Sequence, residues 1–137
     1  MLSDRELVEL ALRARENSYS PYSHFRVGAA LECADGRVFT GCNVENAAYG
    51  SSLCAERTAL VKAVSEGERQ FIRLAVAGDS EDFCWPCGAC RQMLREFGTE
   101  LRVLVANQSG GYTALTLAEL LPNSFGADTM SADRSGI

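Results

Sequence analysis

The sequence predicts an α/β fold: a three-layer α/β/α sandwich around a mixed five-stranded sheet, in a single domain spanning residues 1–137. Three observations predict it. Helical and strand periods alternate along the chain in the order α-β-β-α-β-α-β-β. Two short, nearly all-apolar runs, Phe71 to Ala77 and Leu101 to Ala106, suit strands covered on both faces. The turn after the second run, Gln108-Ser109-Gly110-Gly111, is too short for a parallel crossover, so the next strand returns antiparallel.

Ser3 to Arg15 reads as the first helix, with Ser3 and Glu6 spaced as a capping box and Leu7, Leu10, Ala11 and Ala14 on one face. Asn17-Ser18-Tyr19-Ser20-Pro21-Tyr22-Ser23 is turn chemistry and ends it. Phe25 to Cys33 reads as a strand, Ala34-Asp35-Gly36-Arg37 as a hairpin turn, and Val38 to Cys42 as the returning strand. The polar loop Asn43-Val44-Glu45-Asn46 follows, at a strand end where binding groups often sit. Cys54 to Glu66 is the second helix, stopped by Gly67. After the buried strand Phe71 to Ala77 and the loop Gly78-Asp79-Ser80-Glu81-Asp82, Gly88 to Phe97 forms the third helix, with Cys90, Met93, Leu94 and Phe97 on one face and Gly98 closing it. Leu101 to Ala106, Tyr112 to Leu115 and a short helix Leu117 to Leu121 complete the pattern. From about Gly126 the residues are small and polar, and a mobile tail or lid is expected.

Composition narrows the function. With 47% hydrophobic and 23% charged residues, the 137-residue chain should be globular. The formal net charge is −5 and no Lys/Arg cluster stands out, so a nucleic-acid partner gripped through its phosphates is not expected. Met1-Leu2-Ser3-Asp4-Arg5-Glu6 is not a secretory signal, and no apolar run is long enough to span a bilayer. A cytoplasmic protein without membrane attachment is the expectation. There the six cysteines favour metal binding over a disulfide framework. Cys33 and Cys42 lie in apolar strand segments and read as core residues.

Chemistry concentrates in two stretches. Pro86-Cys87-Gly88-Ala89-Cys90 opens the third helix, and Cys54-Ala55-Glu56 opens the second. Thiolates bind zinc, two of them one turn apart at a helix start can share an ion, and Cys54 can add a third. In an α/β sheet, helix starts gather at the carboxyl ends of parallel strands, which can bring Cys54 close to Cys87 and Cys90. Three protein ligands leave one coordination position for water, and Glu56 stands beside the metal as a carboxylate able to move that water's protons. The alternative from the same residues is a structural site closed by Cys84. The Cys84-x-x-Cys87-x-x-Cys90 spacing also fits part of an iron–sulfur loop.

With these residues in view, the chain resembles the small zinc-dependent cytidine deaminases of pyrimidine salvage. Beyond the two cysteine motifs, the resemblance rests on three segments. Ser20-Pro21-Tyr22-Ser23-His24-Phe25-Arg26-Val27-Gly28-Ala29-Ala30 is similar to the family's first-strand motif. Gly41-Cys42-Asn43-Val44-Glu45-Asn46 is similar to its ribose-binding segment, and Leu120-Leu121-Pro122-Asn123-Ser124-Phe125 to its C-terminal motif. Antibiotic deaminases of the blasticidin type share the zinc motif, but the Asn43-to-Asn46 segment fits the nucleoside enzymes better. The resemblance implies a cytidine deaminase-like fold and Zn2+ held by Cys54, Cys87 and Cys90, with Glu56 as the proton shuttle. It implies that Asn43, Val44, Glu45, Phe25, Ala55 and Phe125 meet a small-molecule nucleoside. A homotetramer is implied too, its sites completed by neighbouring subunits, with Phe125 as the candidate contact in trans.

Cys84-Trp85 departs from the family pattern, where smaller or more polar residues, often Ser at position 85, precede Pro86. Trp85 is expected to reshape the pocket rim. Zinc with three thiolates sums to −1, so charge must be drawn off the sulfurs. The helix N-termini can do part of this, and Arg57 is expected to donate to a cysteine sulfur as an outer-shell partner of the metal. His24, the chain's single histidine, reads as a turn residue. A non-catalytic binding protein on the same fold is the remaining alternative, and Glu56 argues against it.

Overall fold

The structure is a computed structural model, and it describes residues 2–128 and 130. Among them the elements follow the expected order. They are α1 (Asp4–Ala14), β1 (Gly28–Cys33), β2 (Val38–Cys42), α2 (Ala55–Ser65), β3 (Phe71–Ala77), α3 (Gly88–Arg95), β4 (Arg102–Ala106), β5 (Tyr112–Thr116) and α4 (Leu117–Leu120), with single 3-10 turns at Arg15–Asn17 and Tyr49–Ser51. The sheet order is β2-β1-β3-β4-β5. Only the β3–β4 pair is parallel and the other three are antiparallel, which makes the sheet mixed.

Alternation along the strands sorts the core into two layers. Ala30, Ala75, Ala77, Leu104 and Ala106 pack under α1 against Leu7, Val8 and Ala11. Ala29, Leu31, Leu74, Val76, Val103 and Val105 face the other way, towards Ala59, Leu60 and Ala63 of α2, Leu94 of α3 and Leu117 of α4. A period of two on strands covered on both faces produces this division. The α1 face is built largely from alanines, and it brings the helix close. A Cβ placed on Gly28 would fall 1.9 Å from the Ala11 carbonyl oxygen, so only glycine fits where α1 crosses β1.

Caps set the helix limits. Ser3 and Glu6 form the expected reciprocal box, and Thr116 and Glu119 form a second one at α4. Gly67, at φ 97°, ends α2 in a Schellman arrangement: its N–H donates to the Val64 carbonyl and that of Glu68 to the Ala63 carbonyl. One polar pair is buried within the sheet. Glu32 and Arg73 stand opposite each other on β1 and β3, joined by two hydrogen bonds of 2.6 and 2.9 Å.

One boundary is corrected. The first strand begins at Gly28 rather than Phe25. Ahead of it His24 is exposed and takes φ 57°, a left-handed turn conformation that breaks the extended run. Asp79 then captures both the backbone N–H and the guanidinium of Arg26. The Val27 N–H donates to the Asn43 side chain. These groups are taken by loop partners and are not offered to a ladder.

The expected tail from about residue 126 lies mostly outside the described residues. Of its start, Gly126 is buried under the Arg95 guanidinium, and Asp128 pairs with Arg95 at 2.8 Å.

Candidate active site

Register gathers the site at one edge of the sheet. Cys42, Gly28, Ala77 and Ala106 lie side by side across β2, β1, β3 and β4. The chain leaves β2 at Cys42 for α2, and leaves β3 at Ala77 for α3, so both helices start above this edge. A Cβ on Gly41 would come within 2.5 Å of the Ala59 backbone nitrogen, so glycine there lets α2 lie directly on β2.

Cys54 is the N-cap of α2 and Cys87 the N-cap of α3, and neither side chain caps its own helix. Both sulfurs are free to point at each other. Cys54 Sγ and Cys87 Sγ are 3.7 Å apart, Cys87 Sγ and Cys90 Sγ 3.2 Å, and all three lie within 4.8 Å of one another. Tetrahedral thiolate coordination at a Zn–S distance of about 2.3 Å implies sulfur pairs roughly 3.8 Å apart. Three soft thiolates converging at this spacing, above two helix N-termini, fit zinc.

The cluster is polarised. A hydrogen bond with the Cys90 thiol, then one with the Arg57 guanidinium and one with Cys87, bring Cys54 down to about 5 against the opposing effect of burial. Cys90 is pushed up in return, chiefly by its bond to Cys54 and by burial. Arg57 Nη2 lies 3.5 Å from Cys54 Sγ and also reaches the Ser52 carbonyl at 3.3 Å. Glu56, only 4% exposed, has its carboxyl raised to about 7, first by burial and further by the neighbouring Cys54 sulfur.

A cavity of about 300 Å³ opens over these groups. Cys54, Ala55, Glu56 and Arg57 of the α2 start form one wall, and Cys84, Trp85 and Cys87 of the α3 approach form another. Val27, Asn43, Glu45, Tyr49, Ser52 and Leu53 complete it. A charged floor of sulfur and carboxylate under a mostly apolar wall suits a small, flat, polar-edged molecule.

The profile of the cytidine and deoxycytidylate deaminase zinc-binding region matches residues 1–106. The chain belongs to the cytidine and deoxycytidylate deaminase family. It is 48% identical over 130 residues to a cytidine deaminase from Halalkalibacterium halodurans, covering 93% of this chain and 98% of that one. It is 47% identical over 127 residues to one from Sporosarcina psychrophila, covering 92% and 93%. The crystal structure of cytidine deaminase from Burkholderia pseudomallei superposes with a TM-score of 0.88 at 47% identity, over 90% of this chain and 100% of that one.

Within this deaminase the expected residues fall into two groups. Cys54, Cys87, Glu56, Ala55, Arg57, Asn43 and Glu45 line the cavity, and Cys90 is buried behind them with its sulfur in the cluster. Phe25, Val44 and Phe125 are not among the residues that line it. The Phe25 ring packs over Gly78 beside Cys84, and Phe125, 58% exposed, lies where Gln92 donates to its carbonyl. Val44 exchanges backbone hydrogen bonds with Leu53, which brings the polar loop against the approach to α2. Cys84 stays outside the sulfur cluster, near Gly78 and Phe25, and burial pushes its thiol up to about 12. The four-cysteine alternative therefore lacks its fourth ligand. Trp85 is on the cavity wall, as the departure at this position suggested.

Sequence reading did not find Val27, Ser52 and Leu53. Val27 reaches the cavity through its bond to Asn43, Leu53 through its pairing with Val44 and Ser52 through its bond from the Asn46 N–H, and no residue type marks such positions in advance. Nor did it find the work of the Asn43 side chain. Its Oδ1 accepts from the Val27 N–H at 2.9 Å and from the Ser18 hydroxyl, and its Nδ2 donates to the Phe25 carbonyl at 2.8 Å. Glu45 likewise accepts from the backbone N–H groups of Tyr22 and Ser23 and from the Ser23 hydroxyl. A second group of possible ligands among the described residues, Cys33, Asp35 and Glu68, sits by the β1–β2 hairpin at the other end of the strands.

Proposed function

We propose that this cytidine deaminase converts free cytidine and 2′-deoxycytidine hydrolytically to uridine and 2′-deoxyuridine with release of ammonia, as a step of pyrimidine salvage. The observation that carries the proposal is the position of Glu56. Its buried carboxyl lines the cavity two residues from Cys54, whose sulfur gathers with those of Cys87 and Cys90.

Cys54, Cys87 and Cys90 would hold zinc, which when bound supplies the positive charge that brings the pKa of a water towards neutrality. Glu56 takes the first proton from the water whose oxygen bonds to C4 of cytosine, and hands it to N3. It then carries the second proton from the new hydroxyl to the amino nitrogen. The C4–N bond breaks with its electron pair, ammonia leaves, and C4 keeps a carbonyl oxygen. One carboxylate serves both transfers because it faces the same side of the ring throughout. Arg57 draws charge from the Cys54 sulfur. The Ala55 backbone, Asn43 and Glu45 orient the nucleoside, the last two also fixing the loops that shape the cavity.

A free nucleoside fits better than a base within a polymer, because the net charge of −5 offers little to a phosphate backbone. A homotetramer with shared sites is part of the same reading, supported by the exposed aromatic rings of Tyr49, on the cavity wall, and Phe125. Phe125 would act on substrate in that assembly rather than from within one chain, while Phe25 and Val44 stand directly behind cavity-lining Cys84 and Leu53. All six cysteines are free, which accords with the cytoplasm. Among the described residues no helix is long and apolar enough to cross a membrane.

The test is ammonia release by purified protein from cytidine, deoxycytidine and free cytosine, with and without a chelator. Turnover of both nucleosides, lost on metal removal and restored by zinc, is expected. Turnover of free cytosine alone would contradict the nucleoside assignment, and full activity after metal removal would contradict the chemistry.

A further inference from the structure

Trp85 is the chain's single tryptophan, and it is 48% exposed on the wall of the cavity. A large apolar ring left half in water beside a reaction centre has a face available for contact. The ring is also held on a rigid segment. The Cys84 N–H before it donates to the Ala106 carbonyl at 3.1 Å, and Pro86 after it is buried. Arg91 Nε donates to the Pro86 carbonyl at 2.7 Å, and the Phe83 ring meets the indole edge-on, centroids 6.3 Å apart. The backbone that carries the ring is thus pinned on both sides of it.

The inference rests on the deaminase reading, which orients the base. C4 must lie over the three sulfurs, where the starts of α2 and α3 meet. N3 must turn towards Glu56, on the α2 side. The ring position on the other flank of C4 is C5, and it therefore turns towards the α3 approach, where Cys84 and Trp85 form the wall. We propose that Trp85 is a specificity-determining residue that contacts the C5 edge of the bound cytosine and excludes bases enlarged at C5. A substituent at C5 lies in the plane of the ring and next to the reacting carbon. Against a fixed wall it lifts C4 from the sulfur cluster, so the penalty falls on transition-state binding.

The experiment compares kcat/KM for cytidine, 5-methylcytidine and 5-iodocytidine in the intact zinc-loaded enzyme and in its Trp85→Ser and Trp85→Phe variants. The intact enzyme should prefer cytidine over 5-iodocytidine by about tenfold or more, in the range a single misfitted group produces. Trp85→Ser should bring that ratio to within about threefold, with Trp85→Phe and 5-methylcytidine intermediate. Titration with uridine, which does not react, should shift the emission of the single tryptophan. The same substrate ratio in all three proteins would overturn the proposal while leaving the deaminase reading intact, as would unchanged emission at saturating uridine. Failure of the intact enzyme to deaminate cytidine would overturn both.

Discussion

Arg57 Nη2 lies 3.5 Å from Cys54 Sγ, within a single turn of α2, and the Arg57 Nε is buried with no partner of its own. A surface arginine would not be drawn in this way. It is held to a sulfur that hydrogen bonds from the cluster and from Arg57 itself make acidic. Arg57→Ala should leave the domain folded and weaken metal retention, because a cluster of net negative charge loses its nearest cation. The expected loss is about 10- to 100-fold in zinc affinity or turnover, read by chelator competition and initial rates. Unchanged metal content and unchanged rate would contradict it.

Asn43 ties three segments together before it meets any ligand. Through Phe25, Val27 and Ser18 its side chain fixes the stretch that runs into β1. Asn43→Ala should therefore lower stability as well as activity, by about 1–3 kcal/mol for the polar groups left without partners. Asn43→Asp keeps the acceptor but cannot donate to the Phe25 carbonyl, so it should fall between the two. Urea unfolding followed by far-UV circular dichroism measures this. Intact stability with lost activity would confine Asn43 to substrate contact.

Acid should loosen this region and also the start of α1. Hydrogen bonding to the Arg26 guanidinium lowers the Asp79 carboxyl below its ordinary 3.8 against the opposing effect of burial, and a hydrogen bond to Arg102 does the same for Asp4. A group whose folded pKa is depressed contributes stability that is present above the unfolded value and lost as pH falls through the folded one. The urea midpoint should decline as pH falls below about 4, and Asp79→Asn should flatten part of that decline. A midpoint that falls equally steeply in that variant would remove Asp79 from the account.

Cys84 separates an open site from a closed one. Its sulfur stands apart from the cluster and close to Gly78, so Cys84→Ser should keep zinc and keep turnover. Cys87→Ser should lose both. Loss of the metal from Cys84→Ser, seen by elemental analysis, would restore the four-cysteine reading.

Much of this was legible in the sequence, for reasons that differ by element. Helix limits were readable where a cap specifies them, as with Ser3 and Glu6 at α1 and Gly67 at the end of α2. The β3 and β4 strands were readable because burial on both faces leaves almost no polar residues in them. The start of β1 was not, because Phe25 to Val27 has strand-like composition while its polar groups are taken by Asp79 and Asn43, which are distant in sequence. The sulfur cluster was visible from spacing and topology together. The apolar wall of the cavity was not, since Val27 and Leu53 are placed there by the pairing of loops. The structure also separates Phe25, Val44 and Phe125 from the rest of the expected binding set, a distinction that motif resemblance alone does not draw.

The most direct measurement is the zinc content and turnover of Glu56→Gln beside the unaltered protein. Both should bind one zinc per chain, since the three sulfurs are untouched, while the variant should lose several orders of magnitude in the rate of ammonia release from cytidine. Near-normal turnover by zinc-loaded Glu56→Gln would contradict the central role given to this carboxyl.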